Sequence, residues 1–359
     1  MTDLQAMAIK HMYQTDPRMF MQLAFRSVYP GAEYLHNWSI DVLGDALARC
    51  HRRETTRLII NMPPRSLKSF CASVAFPVWA LGVNPTSSIL CVAGHRTLAE
   101  DQHLLAHRLM SNERYLGLFP HMRATEKPGQ LRLPQGGGRY ALTPSSPITG
   151  RGANMVIIDD PHSTQDAENP QKLHDINRWY DRNIYQRLNE KDGGVVIVVM
   201  QRLAEDDLTG HLLKRDDWEV INLPAIAMHD EYLPESLGGE LVRKKGEALH
   251  PAREDRDALR AEMLNMGSVA FMSQYQQKPY PPGQGEVRCG SFFFTTPDDE
   301  VAKGRSDYSM FLGKVPEERY VLYEVFNEGS VPMGCPPYLL TPEEWLERAQ
   351  KVKRNTPAN

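Results

Sequence analysis

Five short apolar runs constrain the fold of this chain more than any other feature. They are Arg57-Leu-Ile-Ile-Asn-Met62, Ser88-Ile-Leu-Cys-Val-Ala93, Met155-Val-Ile-Ile-Asp159, Val195-Val-Ile-Val-Val-Met200 and Trp218-Glu-Val-Ile-Asn-Leu223. A strand with one wet face alternates apolar and polar residues. These runs are rich in β-branched residues and apolar on both faces, so they fit central strands of a parallel sheet covered by helices on each side. The stretch from Thr97 to Met110, with Leu98, Leu105 and Leu109 at helix-like spacing, supplies one cover. Alternating strands and helices predict an α/β chain with a doubly wound, mostly parallel sheet.

In this reading the core spans residues 57–225. Residues 1–56 read as a mostly helical segment. Residues 226–285 form a connecting subdomain ending in the linker Lys278-Pro-Tyr-Pro-Pro-Gly-Gln-Gly285, where proline and glycine forbid a helix or central strand. Residues 286–359 form a short final region. A length of 359 residues with 41% apolar content suffices for about two to three domains. The formal net charge of −4 excludes a uniformly basic nucleic-acid coat, so any DNA contact must use local patches. The five cysteines Cys50, Cys71, Cys91, Cys289 and Cys335 are scattered, with no CxxC pair, which fits neither a disulfide framework nor a zinc site. No apolar run approaches the ~18 residues of a membrane span, and the N-terminus has no apolar signal region. A soluble chain in a reducing, intracellular setting is expected.

The sharpest local feature is Asn61-Met-Pro-Pro-Arg-Ser-Leu-Lys-Ser69, which leaves the first strand and enters the apolar stretch from Phe70 to Phe76. A phosphate loop needs this strand–loop–helix context. Backbone N–H groups at the helix N-terminus hold phosphate charge, a lysine reaches the β- and γ-phosphates, and a serine hydroxyl ligates Mg2+. Lys68 and Ser69 occupy those positions, but Met62 and Leu67 stand where the generic pattern has glycine. Further on, the run Met155–Asp159 ends in two carboxylates, Asp159 and Asp160. An acid at the carboxyl end of a strand can join the Mg2+ shell, and a second beside it can position or deprotonate the attacking water. Each feature alone is compatible with an ordinary turn; in order, on strands of one sheet, they predict ATP binding. Gln201-Arg202 ends the next strand and would share that edge of the sheet, in reach of the γ-phosphate. Thr149-Gly-Arg-Gly152 places Arg151 near phosphate or DNA, or is a plain glycine turn. His103 and His107 sit four apart on a helix without the glutamate of HExxH, and read as a solvated face.

Together these residues resemble the large terminase subunits of tailed bacteriophages, the ATPases of DNA packaging. The resemblance is carried by Leu58–Ala93, Thr149–Pro161, Trp179-Tyr180, Arg187–Asn189, Val199–His211, Leu223–Ile226, Gly246–Pro251 and Gln274–Pro279. It implies a P-loop NTPase-type fold using ATP and Mg2+. Lys68 would hold the phosphates within a loop completed by Pro64, Ser66 and Leu67, with Mg2+ on Ser69 and Asp159. Asp160 stands where many members have the catalytic glutamate. Arg65 would assist hydrolysis, and Gln201 and Arg202 fall at the motif coupling hydrolysis to movement. The region from Tyr34 to Trp38 resembles the adenine side. Implied partners are double-stranded DNA, a portal protein and a small terminase subunit, in a homo-oligomeric ring on a procapsid in the host bacterial cytoplasm, with no membrane.

The family also carries a ribonuclease H-like nuclease whose carboxylates hold Mg2+ or Mn2+. Phe292–Ser309 and Tyr320–Phe326 resemble two of its strands, with Asp298 as the first metal-binding acid. The chain ends at Asn359, before the strands that would supply the other acids, so an incomplete nuclease region without activity is expected. Two further readings stay open: a helicase-like translocase on the same ATP core, and a degenerate prophage remnant acting only as a DNA- or portal-binding module.

Overall fold

The computed structural model describes residues 3–146, 152–215 and 217–279, together with the backbone of four short strands between 286 and 332. The chain divides into two compact units, Met1–Asp255 with Ser273–Pro279, and Arg256–Met272 with Tyr280–Asn359.

The first unit is built on eight strands: β1 (Arg57–Asn61), β2 (Ser88–Ala93), β3 (Thr125–Lys127), β4 (Gln130–Arg132), β5 (Gly138–Leu142), β6 (Met155–Asp159), β7 (Val195–Met200) and β8 (Glu219–Asn222). Their order across the sheet is β3-β4-β5-β2-β6-β7-β1-β8. The six strands from β5 to β8 in that order run parallel, and β3 and β4 add an antiparallel edge. This is the mostly parallel α/β sheet that the apolar runs require. Pleating sends successive residues to opposite faces. Leu58, Ile60, Ile89, Cys91, Ile157, Ile197 and Val199 therefore join one buried cluster, while Ile59, Leu90, Val92, Val156, Ile158, Val196 and Val198 join another. β8 departs from that pattern. It is an edge strand, with Val220 40% exposed and Glu219 in an ion pair with Arg49.

Helices cover both faces. On the first lie α1 (Asp3–Thr15), α2 (Pro17–Val28), α3 (Trp38–His51), a π-helical segment (Phe70–Ala75) running into α4 (Phe76–Val83), α5 (Arg96–Met110) and α6 (Glu113–Leu118). The other face is covered by α8 (Pro170–Asn183) and α9 (Leu208–Leu212), after the single turn α7 (Thr164–Ala167). Local chemistry sets several starts. Asp16, Asn37 and Asn169 each accept a backbone N–H of the first turn, and Pro17 and Pro170 supply a preset φ where no donor is needed. After β8, β9 (Glu231–Tyr232) pairs with β10 (Leu241–Arg243). Buried Arg243 fastens that hairpin, donating to Glu231 and to the carbonyls of Pro224 and Ala225.

In the second unit, α10 spans Arg256–Met266 and α11 begins at Ser268. Strand β11 (Glu286–Arg288) pairs with β14 (Ser330–Pro332), and β12 (Phe293–Thr295) with β13 (Val321–Tyr323), both antiparallel. Asp298, the proposed nuclease acid, and Arg151 lie outside the described residues. Among the described residues no helix is long and apolar enough to cross a membrane.

Candidate nucleotide site at the carboxyl edge of the sheet

The strand order fixes what can meet at this edge. β7 lies between β6 and β1, so the carboxyl end of β7 is flanked by the loop leaving β1 and by the two acids ending β6. The loop turns sharply after Asn61. Two residues in it adopt left-handed backbone, Arg65 at φ 58° and Leu67 at φ 63°. Ser66 Oγ donates to the Pro63 carbonyl at 2.8 Å, tying the turn together. A glycine would adopt that backbone freely; a leucine does so at a cost of roughly 1–2 kcal/mol. The residue just before the lysine is thus left-handed although it is not glycine. Such strain persists where surrounding structure over-determines it, typically at functional sites, and Leu67 is held by packing on the main core. Leu67→Gly is accordingly expected to keep nucleotide affinity within about twofold. Leu67→Val, whose β-branch fits left-handed backbone poorly, should weaken it about tenfold or more, near 1.4 kcal/mol, by calorimetric titration.

Lys68 is buried, 5% exposed, with its ammonium 3.5 Å from Asp160 Oδ2. Ser69 Oγ donates to Asp159 Oδ1 at 2.9 Å. The residues singled out by the sequence at 68, 69, 159 and 160 therefore converge. Asp160 itself has φ 40°, another left-handed non-glycine residue. Its N–H donates to the Val199 carbonyl at 2.9 Å, and its carboxylate accepts the Gln201 N–H at 3.1 Å. Burial first, and then the charge of Asp160, raise the Asp159 carboxyl above its ordinary range, against the opposing pull of Lys68 and the Ser69 bond.

The other sequence candidates divide. Arg65 is exposed beside the loop. The Gln201 side-chain oxygen is buried without a hydrogen-bond partner. Arg202 reaches the end of β7, but its guanidinium is committed elsewhere: Nε donates to both oxygens of the fully buried Asp207 at 3.0 Å, and Nη2 to the carbonyls of Ala204 and Glu205. Asp207 also caps α9. Removing one partner of so buried a pair costs about 3–5 kcal/mol, so Arg202 holds the loop that leads to α9. Tyr34 packs against Phe25 at a tilt, ring centroids 5.3 Å apart, and Phe25 meets Phe70, the residue after Ser69, edge-on at 5.8 Å. An aromatic cluster thus flanks the loop.

Three residues of the site were not singled out by sequence reasoning. Gln102 of α5 donates to Asp159 Oδ2 at 2.5 Å, so both oxygens of that carboxylate are engaged. Gly94 follows β2, where a Cβ would lie 2.1 Å from the Asp160 carbonyl oxygen; only glycine admits that approach. Asn61 accepts from Thr209 Oγ1 at 3.0 Å. The available signals were weak: a glycine ending an apolar run, and a glutamine on the buried stripe of α5. His103 corrects the expectation of a solvated face. It is 8% exposed, and with His107 it turns toward Glu126, at 3.6 and 3.5 Å. The antiparallel hairpin β3–β4 brings that glutamate there, a pairing with no local signal in the residues themselves.

Among the described residues no group of three His, Cys, Asp or Glu side chains forms a metal cage. Mg2+ does not need one. It keeps several waters and binds through one or two carboxylates plus substrate phosphates. A serine hydroxyl 2.9 Å from a buried carboxylate is a donor set that fits that ion, and Ser69 and Asp159 are the residues that would hold it.

The fold and site define a doubly wound α/β protein with a phosphate-loop-like edge. No family model matches the chain, and no curated protein does. Solved structures that it is similar to include the large terminase of bacteriophage HK97, at 16% identity and TM-score 0.48, covering 81% of this chain and 58% of that one. Another is the large terminase ATPase domain of Thermus phage P74-26, at 16% identity and TM-score 0.45, covering 70% of this chain and 96% of that one. The chain thus spans 58% of the length of the HK97 protein.

Proposed function

We propose that this chain hydrolyses ATP as the motor subunit of a viral DNA-packaging machine, a large terminase. One observation carries the ATPase half: Ser69 and Lys68, from the loop after β1, touch Asp159 and Asp160, from the end of β6, at 2.9 and 3.5 Å. The packaging half is supported by the ordered motifs between about residues 20 and 280 that resemble the family. In this reading residues 57–225 are the ATPase core, 1–56 its adenine side, 226–285 the connection and 286–359 a nuclease-like region. Lys68 and the helix N-terminus offset charge on the transferring phosphoryl group. Ser69 and Asp159 would hold Mg2+, which would supply positive charge to the nucleotide phosphates. Asp160, held by the Gln201 N–H, orients the attacking water. Gln201 has a free side-chain oxygen beside it, and Arg65 stands at the open side of the loop. Partners in this role are duplex DNA, a portal, a small subunit and further copies of the chain in a ring.

The test is ATP turnover by the purified chain, with Mg2+ or with EDTA, and with or without duplex DNA. Turnover that requires Mg2+ and rises with DNA is the expected result. Absence of Mg2+-dependent ATP binding would convert the chain to a remnant, and strand separation without a procapsid to a helicase-like translocase.

A further inference from the structure

We propose that the outward face of the antiparallel hairpin β3–β4 is a docking surface for the phosphate backbone of duplex DNA. The choice of duplex DNA as the polyanion rests on the packaging reading; the surface itself does not.

The argument is one of register. Thr125 pairs with Arg132, Glu126 with Leu131 and Lys127 with Gln130, while Gln130 pairs with Tyr140 and Leu131 with Arg139. Cross-strand partners share a face and neighbours alternate. Thr125, Lys127, Gln130 and Arg132 therefore lie on one face, and Glu126, Leu131 and Arg139 on the other. Leu131 and Arg139 are fully buried, and Glu126 meets the two histidines of α5, which fixes the second face as the inner one. Glu126 is the only carboxylate between Phe119 and Leu142. The pleat thus turns the one acid, itself 46% exposed, toward α5 and leaves the cations on the opposite face. Lys127 and Arg132 are exposed, as is Arg123, two residues before Thr125 in continuation of the alternation. Arg132 Nε is steadied by Gln130 Oε1 at 3.0 Å.

Edge strands commonly carry lysine to block pairing with another chain. That accounts for Lys127 on the outermost strand. It does not account for Arg132, because β4 is paired on both sides. In a chain of net charge −4, such a local patch is what backbone binding requires.

The experiment is a fluorescence-anisotropy titration of a labelled duplex with the full chain, without nucleotide, across a salt series. The triple variant Arg123→Ala/Lys127→Ala/Arg132→Ala is expected to bind at least about tenfold more weakly at moderate salt. Its salt slope should fall by about 2–3, since each phosphate contact contributes about 0.9. Lys244→Ala/Lys245→Ala removes two exposed charges elsewhere and should change neither quantity. ATP affinity of the triple variant, measured in parallel, should match wild type and confirms folding. Wild-type slope and affinity in the triple variant, equal loss in the lysine control, or equal binding of poly-glutamate by wild type would each overturn the proposal. Failure of ATP hydrolysis with the DNA result intact would overturn the motor reading and leave this surface standing.

Discussion

Lys68→Ala is expected to lower ATP turnover by at least about two to three orders of magnitude, the usual consequence of removing one preorganised group from developing transition-state charge. The expectation follows from where the ammonium sits. It is almost fully buried, so its charge is poorly screened, and its near partner is the carboxylate of Asp160 at 3.5 Å. A triphosphate entering this edge replaces or shares that partner. Without Lys68, two acids face the phosphates with no compensating cation from the loop, so binding and chemistry fail together. Lys68→Arg should not rescue turnover, because a planar guanidinium does not fit a buried site shaped for a compact ammonium. Steady-state hydrolysis and calorimetric titration with Mg·ADP measure the two effects separately. Turnover of Lys68→Ala within tenfold of wild type would remove the phosphate-loop assignment.

The parts of this site that were legible in the sequence are those whose physics is local. Unalternating β-branched runs fit doubly covered strands, and β1, β2, β6 and β7 are that, while β8, with its polar Glu219 and Asn222, is an edge strand. Lys68-Ser69 directly after one strand and Asp159-Asp160 directly after another are tied to their strands by chain connectivity, so a correct parallel sheet brings their ends to one edge. What escaped was set by tertiary packing. Gln102 reaches Asp159 because α5 packs on β2, the strand beside β6, and nothing in its helix marks it. The strands β3, β4 and β5 are short and partly polar, below what periodicity detects, and with them went the environment of His103. Arg202 illustrates the converse. Its position at the end of β7 was legible, yet its direction depends on Asp207 five residues later. Leu67 reads as a defect by pattern. Its backbone at φ 63° is the left-handed conformation that glycine adopts freely, held here by a leucine.

Asp159→Asn is expected to abolish Mg2+-dependent hydrolysis while making the nucleotide-free protein more stable at alkaline pH. The sign follows from the raised native pKa. Below the ordinary value of 3.8 the carboxyl is protonated folded and unfolded, and contributes nothing. Above it, the unfolded chain releases the proton while the buried carboxyl retains it, so folding carries a cost that grows with pH. That cost is complete once pH exceeds the raised native value. Asparagine has the same shape without the charge. Its amide can accept from Gln102 and donate to Ser69 Oγ, leaving neither partner orphaned. The variant should therefore melt several degrees higher than wild type near pH 8, at about 2–4 °C per kcal/mol for a unit of this size, and the gain should shrink near pH 5. Saturating Mg·ADP should stabilise wild type, by about 2.7 kcal/mol at a hundredfold excess over Kd. For the variant, adding Mg2+ to ADP should give no further gain. Thermal unfolding at the two pH values, with ADP in EDTA or in Mg2+, reads all of this. A variant that is less stable at pH 8, or that responds to Mg2+ as wild type does, would show that Asp159 does not carry the ion. The charge that costs the empty fold stability is the one a divalent cation needs, and burial supplies both effects.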